Sequence, residues 1–125
     1  MQRTKYILTI IFAVILIVAG VNHFLHPATY FPFIPDFLPD ALTNYFGGAA
    51  ELILGIGLFL PRYRSAAGLG TFWLMIIFLP LHVIDTLRDH PLIGSKTIAY
   101  IRLPLQLVLI AWAWWISKPD PIKFT

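Results

Sequence analysis

Residues 6–25 read YILTIIFAVILIVAGVNHFL, with no Asp, Glu, Lys or Arg and nothing more polar than Tyr6 and Thr9 before Asn22 and His23. At about 1.5 Å per residue, a helix of this length covers the roughly 30 Å hydrocarbon core of a bilayer. The run predicts a first transmembrane helix, preceded by Arg3 and Lys5. Those charges and Val18-Ala19-Gly20 also fit a cleaved signal peptide, but the apolar run continues past that point.

Three more runs follow. Residues 42–60 hold a single charge, Glu51, and are closed by Pro61-Arg62-Tyr63-Arg64. Residues 65–84 start directly after that turn, which predicts a tight helical hairpin. Residues 97–116 contain Arg102, Pro104 and Gln106. The 125-residue chain is 58% hydrophobic and 12% charged, about half the charge that dresses a soluble surface. With no repeat or linker, the reading is one all-α integral membrane domain over 1–125, a four-transmembrane-helix antiparallel bundle.

The absence of cysteine excludes disulfides, thiolate nucleophiles and Cys-ligated metal centres. The net charge of +3 does not point to nucleic acid, because most Lys and Arg residues stand at the ends of apolar runs. Arg3, Lys5, Arg62, Arg64, Lys118 and Lys123 share one side, and Arg88 and Lys96 the other. The positive-inside rule then makes both termini cytoplasmic, with Trp112, Trp114 and Trp115 as an interfacial belt on that side. On the outer side, 26–41 is rich in proline and aromatics (Pro27, Tyr30, Phe31, Pro32, Phe33, Pro35, Phe37, Pro39) and cannot be one regular helix. It is expected at the headgroup level or folded over the mouth of the bundle. The more polar stretch 85–96 is expected as the second outer connection.

Side chains that a lipid-facing helix would reject carry the functional reading: Asn22, His23, Glu51, His82, Asp85, Arg102 and Gln106. An ionised group at bilayer depth costs roughly 2.5–3.5 kcal/mol on insertion scales, so each needs a partner or an aqueous pocket. All four spans bring such groups to the outer half. Arg102 and Gln106 are four apart, Thr71, Met75, Phe78, His82 and Asp85 alternate steps of four and three, and Gly47, Glu51 and Gly55 stack at four. The glycines let a neighbouring helix approach Glu51, with Arg102 the obvious partner. Pro80 and Pro104 free the carbonyls of Ile76 and Tyr100, for which Arg102, His82 or Gln106 are candidate donors.

Two readings stay open. In one, a Glu51–Arg102 pair only locks helix register. In the other, the cluster forms a pocket beneath the aromatic segment for a small headgroup or quinone ring, with Arg102, Glu51, His82 and Gln106 orienting its oxygens. A metal on His23, His26 and His82 or Glu51 lacks a dedicated ligand motif. A transport path lacks inner polar groups beyond Thr9 and Thr71, so transport would need an oligomer packed through Gly47, Gly55, Gly68 and Gly70. No nucleophile elbow or phosphate loop occurs, so neither a stand-alone enzyme nor a catalytic residue is assigned.

The same residues carry a family resemblance. Residues 19–24 (AGVNHF) with Pro27 and Tyr30, Ile34-Pro35, Phe37-Leu38-Pro39, residues 48–55 (GAAELILG), Pro61-Arg62 and Arg102-Leu103-Pro104-Leu105-Gln106 with Trp112 resemble the DoxX family of bacterial membrane proteins, related to DoxD and MauE-like proteins. The chain departs at Pro80-Leu81-His82, where relatives often carry Pro-Ala-Asn, so His82 would replace that asparagine. The resemblance implies a multi-pass protein of the bacterial cytoplasmic (inner) membrane. Through DoxD-type subunits of a thiosulfate:quinone oxidoreductase, it also implies an accessory role beside a membrane oxidoreductase, with quinone as the ligand. A structural or assembly protein, and an oligomeric transporter subunit, are the alternatives.

Overall fold

The computed structural model describes residues 2–92 and 95–119, so Lys123 of the charge count lies outside the described residues. Among them the chain forms α1 (Arg3–Leu25), a one-turn α2 (Pro27–Tyr30) continued by a 3-10 turn (Phe31–Phe33), α3 (Asp40–Phe59), α4 (Arg64–Leu87) and α5 (Lys96–Ser117), with no strand. Helices α1, α3, α4 and α5 are each long and apolar enough to cross a membrane.

Helix ends follow local chemistry. α3 starts after Pro39, with Asp40 at the positive end of its dipole. It stops before Pro61, and Arg64 returns to cap it, Nε donating to the Leu58 carbonyl at 2.8 Å and Nη2 to that of Phe59 at 3.1 Å. Only residues 60–63 separate α3 from α4, the predicted hairpin. α4 continues past 84 to Leu87, so Asp85, expected near the outer end of this helix, lies in its last turn and the connection starts after it. Ser95 caps α5, its hydroxyl accepting from the Ile98 amide at 3.3 Å.

Successive long helices run antiparallel. α1 lies on α3 almost backbone to backbone, since a Cβ on Gly20 would stand 2.8 Å from the Gly48 carbonyl oxygen and one on Gly55 would stand 3.0 Å from that of Ala13. α4 and α5 close in the same way, a Cβ on Gly68 meeting the Ser117 amide nitrogen at 2.9 Å. Gly70 faces Leu54 of α3. Gly55, Gly68 and Gly70 therefore serve contacts within the chain, which corrects their assignment as surfaces for a second copy.

The core is small: Phe12, Ala13, Leu16, Leu58, Ala67, Met75, Ala113 and Ile116. Outward faces stay apolar, with Val18, Ile53, Ile77 and Ile101 exposed by 63%, 69%, 64% and 60%, one from each long helix. Faces of this kind on every helix exceed the apolar patches that water tolerates, and hydrocarbon is their natural surrounding. Arg3, Lys5, Arg62, Arg64 and Lys118 gather at one end, where Lys5 Nζ donates to the Lys118 carbonyl at 2.6 Å and the Arg64 guanidinium lies 5.5 Å from the Tyr6 ring centre. At the other end Lys96 Nζ donates to the Arg88 carbonyl at 2.8 Å. Trp114 meets Lys118 at the basic end, the ammonium 3.8 Å from the ring centre. Trp112 turns inward with its ring centre 4.7 Å from that of Phe12, so it packs, partly buried, against the core and not in a belt.

Gly20→Ala should therefore lower stability by about 1–3 kcal/mol through overpacking against backbone. Gly47→Ala, whose Cβ would meet only His23 Cε1 at 4.0 Å, should cost almost nothing. Thermal unfolding of both variants in bicelles checks the contrast, and equal midpoints would refute the close α1–α3 contact.

Candidate functional site

At the end opposite the basic cluster, the bundle holds a cavity of about 260 Å³. Ala19 and His23 of α1, Tyr30, Phe33 and Ile34 of the aromatic segment, Thr43, Asn44, Gly47 and Glu51 of α3, Phe78, Leu81 and His82 of α4, and Arg102 of α5 line it. Mostly apolar walls with a few converging polar groups are the usual make-up of a small-molecule site, here near the small end of the size range.

The acidic side of the cavity depends on the α1–α3 contact. His23, one turn after Gly20, lies over Asn44, whose amide Nδ2 donates to the His23 carbonyl at 2.9 Å. That bond orients the amide, leaving Asn44 Oδ1 facing His23 Nδ1 at 2.7 Å. Oδ1 only accepts, so Nδ1 carries the hydrogen. His23 Nε2 then faces Glu51 Oε2 at 3.4 Å. Tyr30 stacks on the imidazole with ring centres 3.8 Å apart, and its hydroxyl accepts from Asn22 Nδ2 at 2.5 Å. Glu51 is 5% exposed and Oε2 has no hydrogen-bond donor among the described residues.

The basic side is built on α4 and α5. Arg102 Nη2 lies 3.0 Å from His82 Nδ1, and Nη1 lies 3.6 Å from Asp85 Oδ2. A guanidinium only donates, so His82 Nδ1 accepts and the neutral ring carries its hydrogen on Nε2. Asp85 is 2% exposed, and its other oxygen accepts from the Leu92 amide at 2.8 Å, tying down the chain after α4.

Of the seven candidate residues, His23, Glu51, His82 and Arg102 line the cavity. Asp85 stands behind Arg102 as its counter-ion, and Asn22 reaches the site only through Tyr30. The expected Glu51–Arg102 pair is replaced by two separate contacts, Glu51 with His23 and Arg102 with Asp85 and His82. Gln106 is outside the lining: buried at 4% exposure, it donates to the Met75 carbonyl at 2.7 Å, one residue before the carbonyl that Pro80 was expected to leave open. Thr9 and Thr71 donate to carbonyls of their own helices, at 2.7 Å each. Among the described residues, no three His, Asp or Glu side chains group as metal ligands, and His26 is exposed.

Asn44 and Tyr30 also line the cavity; Asn44 was not singled out in the sequence, and Tyr30 was named only as one aromatic of the 26–41 segment and within the family resemblance. A signal for Asn44 existed: Asn44, Gly48, Glu51, Gly55 and Leu58 alternate steps of four and three and form the buried face of α3. Gly48, not Gly47, belongs to the packed stripe. Nothing in the local pattern marks Tyr30, which a chain reversal brings onto His23.

Residues 12–117 match the model of a family described as "Domain of unknown function (DUF8561)". This finding overturns the DoxX resemblance: small residues around a buried Glu and prolines inside apolar helices answer packing needs that unrelated membrane bundles share. The oxidoreductase partner and the quinone rested on that resemblance and lose their support with it. No curated protein and no solved structure matches the chain.

Asn44→Ala should destabilise the protein by about 1–3 kcal/mol, because the His23 ring N–H and carbonyl both lose their partner in a buried site. Asp36→Asn, at the same end but outside the cavity, should shift nothing. Denaturant or thermal midpoints in lipid test the pair.

Proposed function

The chain belongs to the DUF8561 family, and we propose that it is a multi-pass membrane protein that binds a small amphipathic molecule in the cavity among His23, Glu51, His82 and Arg102. It would act as a binding or accessory subunit, since no nucleophile or cofactor motif suggests a reaction of its own. The observation that carries the reading is Glu51: a buried carboxylate oxygen on a cavity wall, without a donor among the described residues, in a chamber to which every long helix contributes. Tyr30, Phe33 and Ile34 would form the entrance, and Phe78 and Leu81 would hold the apolar part of the molecule.

A purely structural role is the second reading, supported by contacts that staple α1 to α3 and α4 to α5. Gly47→Leu separates the two. Its side chain enters the cavity from an unobstructed position and leaves every polar group in place. Native mass spectrometry of protein extracted mildly from its own membrane should reveal a small molecule that Gly47→Leu lacks while melting no lower than the parent. A parent free of any such molecule would move the weight to the structural reading.

The concentration of Arg and Lys at one end supports cytoplasmic termini in a cytoplasmic membrane, with the cavity in the outer half. The chain has no native cysteine, so single-cysteine labelling is clean. An impermeant maleimide applied to intact cells should modify Asp89→Cys and spare Tyr63→Cys; the reverse pattern would invert the topology.

A further inference from the structure

We infer that the cavity selects a small organic monocation, an ammonium group on an apolar or aromatic body, with Glu51 as its counter-ion. This deepens the binding role proposed above and rests on it.

The first ground is the placement of hydrogens. His23 Nδ1 is committed to Asn44 Oδ1 at 2.7 Å, so the neutral ring offers a lone pair at Nε2. That lone pair faces Glu51 Oε2 at 3.4 Å, and Oε2 is buried with no donor among the described residues. With the ring neutral and Glu51 ionised, two acceptors face each other beside the cavity, a position that a donor would fill. An ammonium there would give one N–H to each.

The second ground is charge. Arg102 already has Asp85 at 3.6 Å and uses a further N–H on His82. Its positive charge is compensated from behind, away from the acidic wall. Glu51 has no Lys or Arg within ion-pair distance among the described residues, only His23. The groups lining the cavity around Glu51 are His23 from α1, Tyr30 from the aromatic segment, Asn44 from α3, His82 from α4 and Arg102 from α5. Once Asp85 is counted against Arg102, these groups carry one uncompensated carboxylate, which a monocation balances and a carboxylate ligand would double. The third ground is the wall itself: the aromatic side chains of Tyr30, Phe33 and Phe78 are among its lining, and aromatic rings attract an ammonium and its adjoining carbons.

The test uses the protein in lipid nanodiscs and calorimetric titration with three probes of similar shape: 2-phenylethylammonium, 2-phenylethanol and 3-phenylpropionate. The ammonium should bind more tightly than the alcohol by at least about tenfold, the margin of a charged hydrogen bond. The advantage should vanish in Glu51→Gln and persist in Asp36→Asn. If Glu51→Gln fails to fold, the ammonium-over-alcohol preference of the parent and its loss in Gly47→Leu still decide the matter. Equal binding of ammonium and alcohol would overturn the charge assignment, as would preferential binding of the propionate that is lost in Arg102→Gln. If no probe binds but a Gly47-dependent molecule still co-purifies, the cation class falls and the pocket stands. If neither is seen both fall, and a proton shared between His23 and Glu51 fills the position.

Discussion

The close approach of α1 to α3 is the constraint on which the rest of the site depends. Glycine at positions 20, 48 and 55 lets the two backbones touch, so that main-chain atoms of one helix meet positions on the other where a Cβ would stand. At that separation His23 has nowhere to go but across α3, where Asn44 takes both its ring nitrogen and its carbonyl. Tyr30 is held over the same imidazole, which fixes the start of the aromatic segment. One steric feature thus sets the acidic wall of the cavity, its tautomer and part of its lid.

The cavity exists because the four long helices associate as two tight pairs. α1 with α3 and α4 with α5 pack through glycines, and the pairs are joined by the short turn at 60–63. Toward the basic end the space between pairs is filled by Phe12, Leu16, Leu58, Met75 and the inward-turned Trp112. Gln106, bonded to the Met75 carbonyl, crosses between α5 and α4 within that packed region. Beyond it the facing side chains are Glu51, His82 and Arg102, which do not fill the space as aliphatic groups do, and the chamber opens there. Polarity and emptiness coincide in one half of the bundle for the same reason: desolvated polar groups need partners other than close-packed hydrocarbon.

Much of the architecture was legible because hydrocarbon imposes a length and a composition that few other environments require. Four apolar runs, their approximate limits and the segregation of Arg and Lys toward one end of the bundle follow from that requirement alone. The cavity-lining role of His23, Glu51, His82 and Arg102 was legible too, as these are costly residues in apolar helices. Pairing was not. Helical periodicity places Glu51 and Arg102 on inward faces, but whether they touch depends on rotations that neighbouring helices decide. Glycine spacing misled where it was read without its neighbours: Gly47 and Gly48 are adjacent, and only packing shows that Gly48 carries the contact. The connection after α4 starts later than 85 because no stop signal separates Ile84 from the following turn, and α4 continues until Arg88 takes up extended backbone.

Glu51 is the residue that packing does not account for. If the polar groups served only to lock α1 on α3, the neutral His23–Asn44 bonds would suffice, since both Asn44 contacts are complete hydrogen bonds. A carboxylate added beside them brings a desolvation cost and an oxygen without a donor. Asp85 also has an oxygen without a hydrogen bond, but Arg102 lies 3.6 Å away and the Leu92 amide satisfies its partner oxygen, so a structural purpose is visible. Glu51 has only an imidazole lone pair or a shared proton opposite it, and open space beside it. A group that costs stability and returns no packing is what a binding site would contribute to a fold, and it is the reason for the binding role proposed for the cavity.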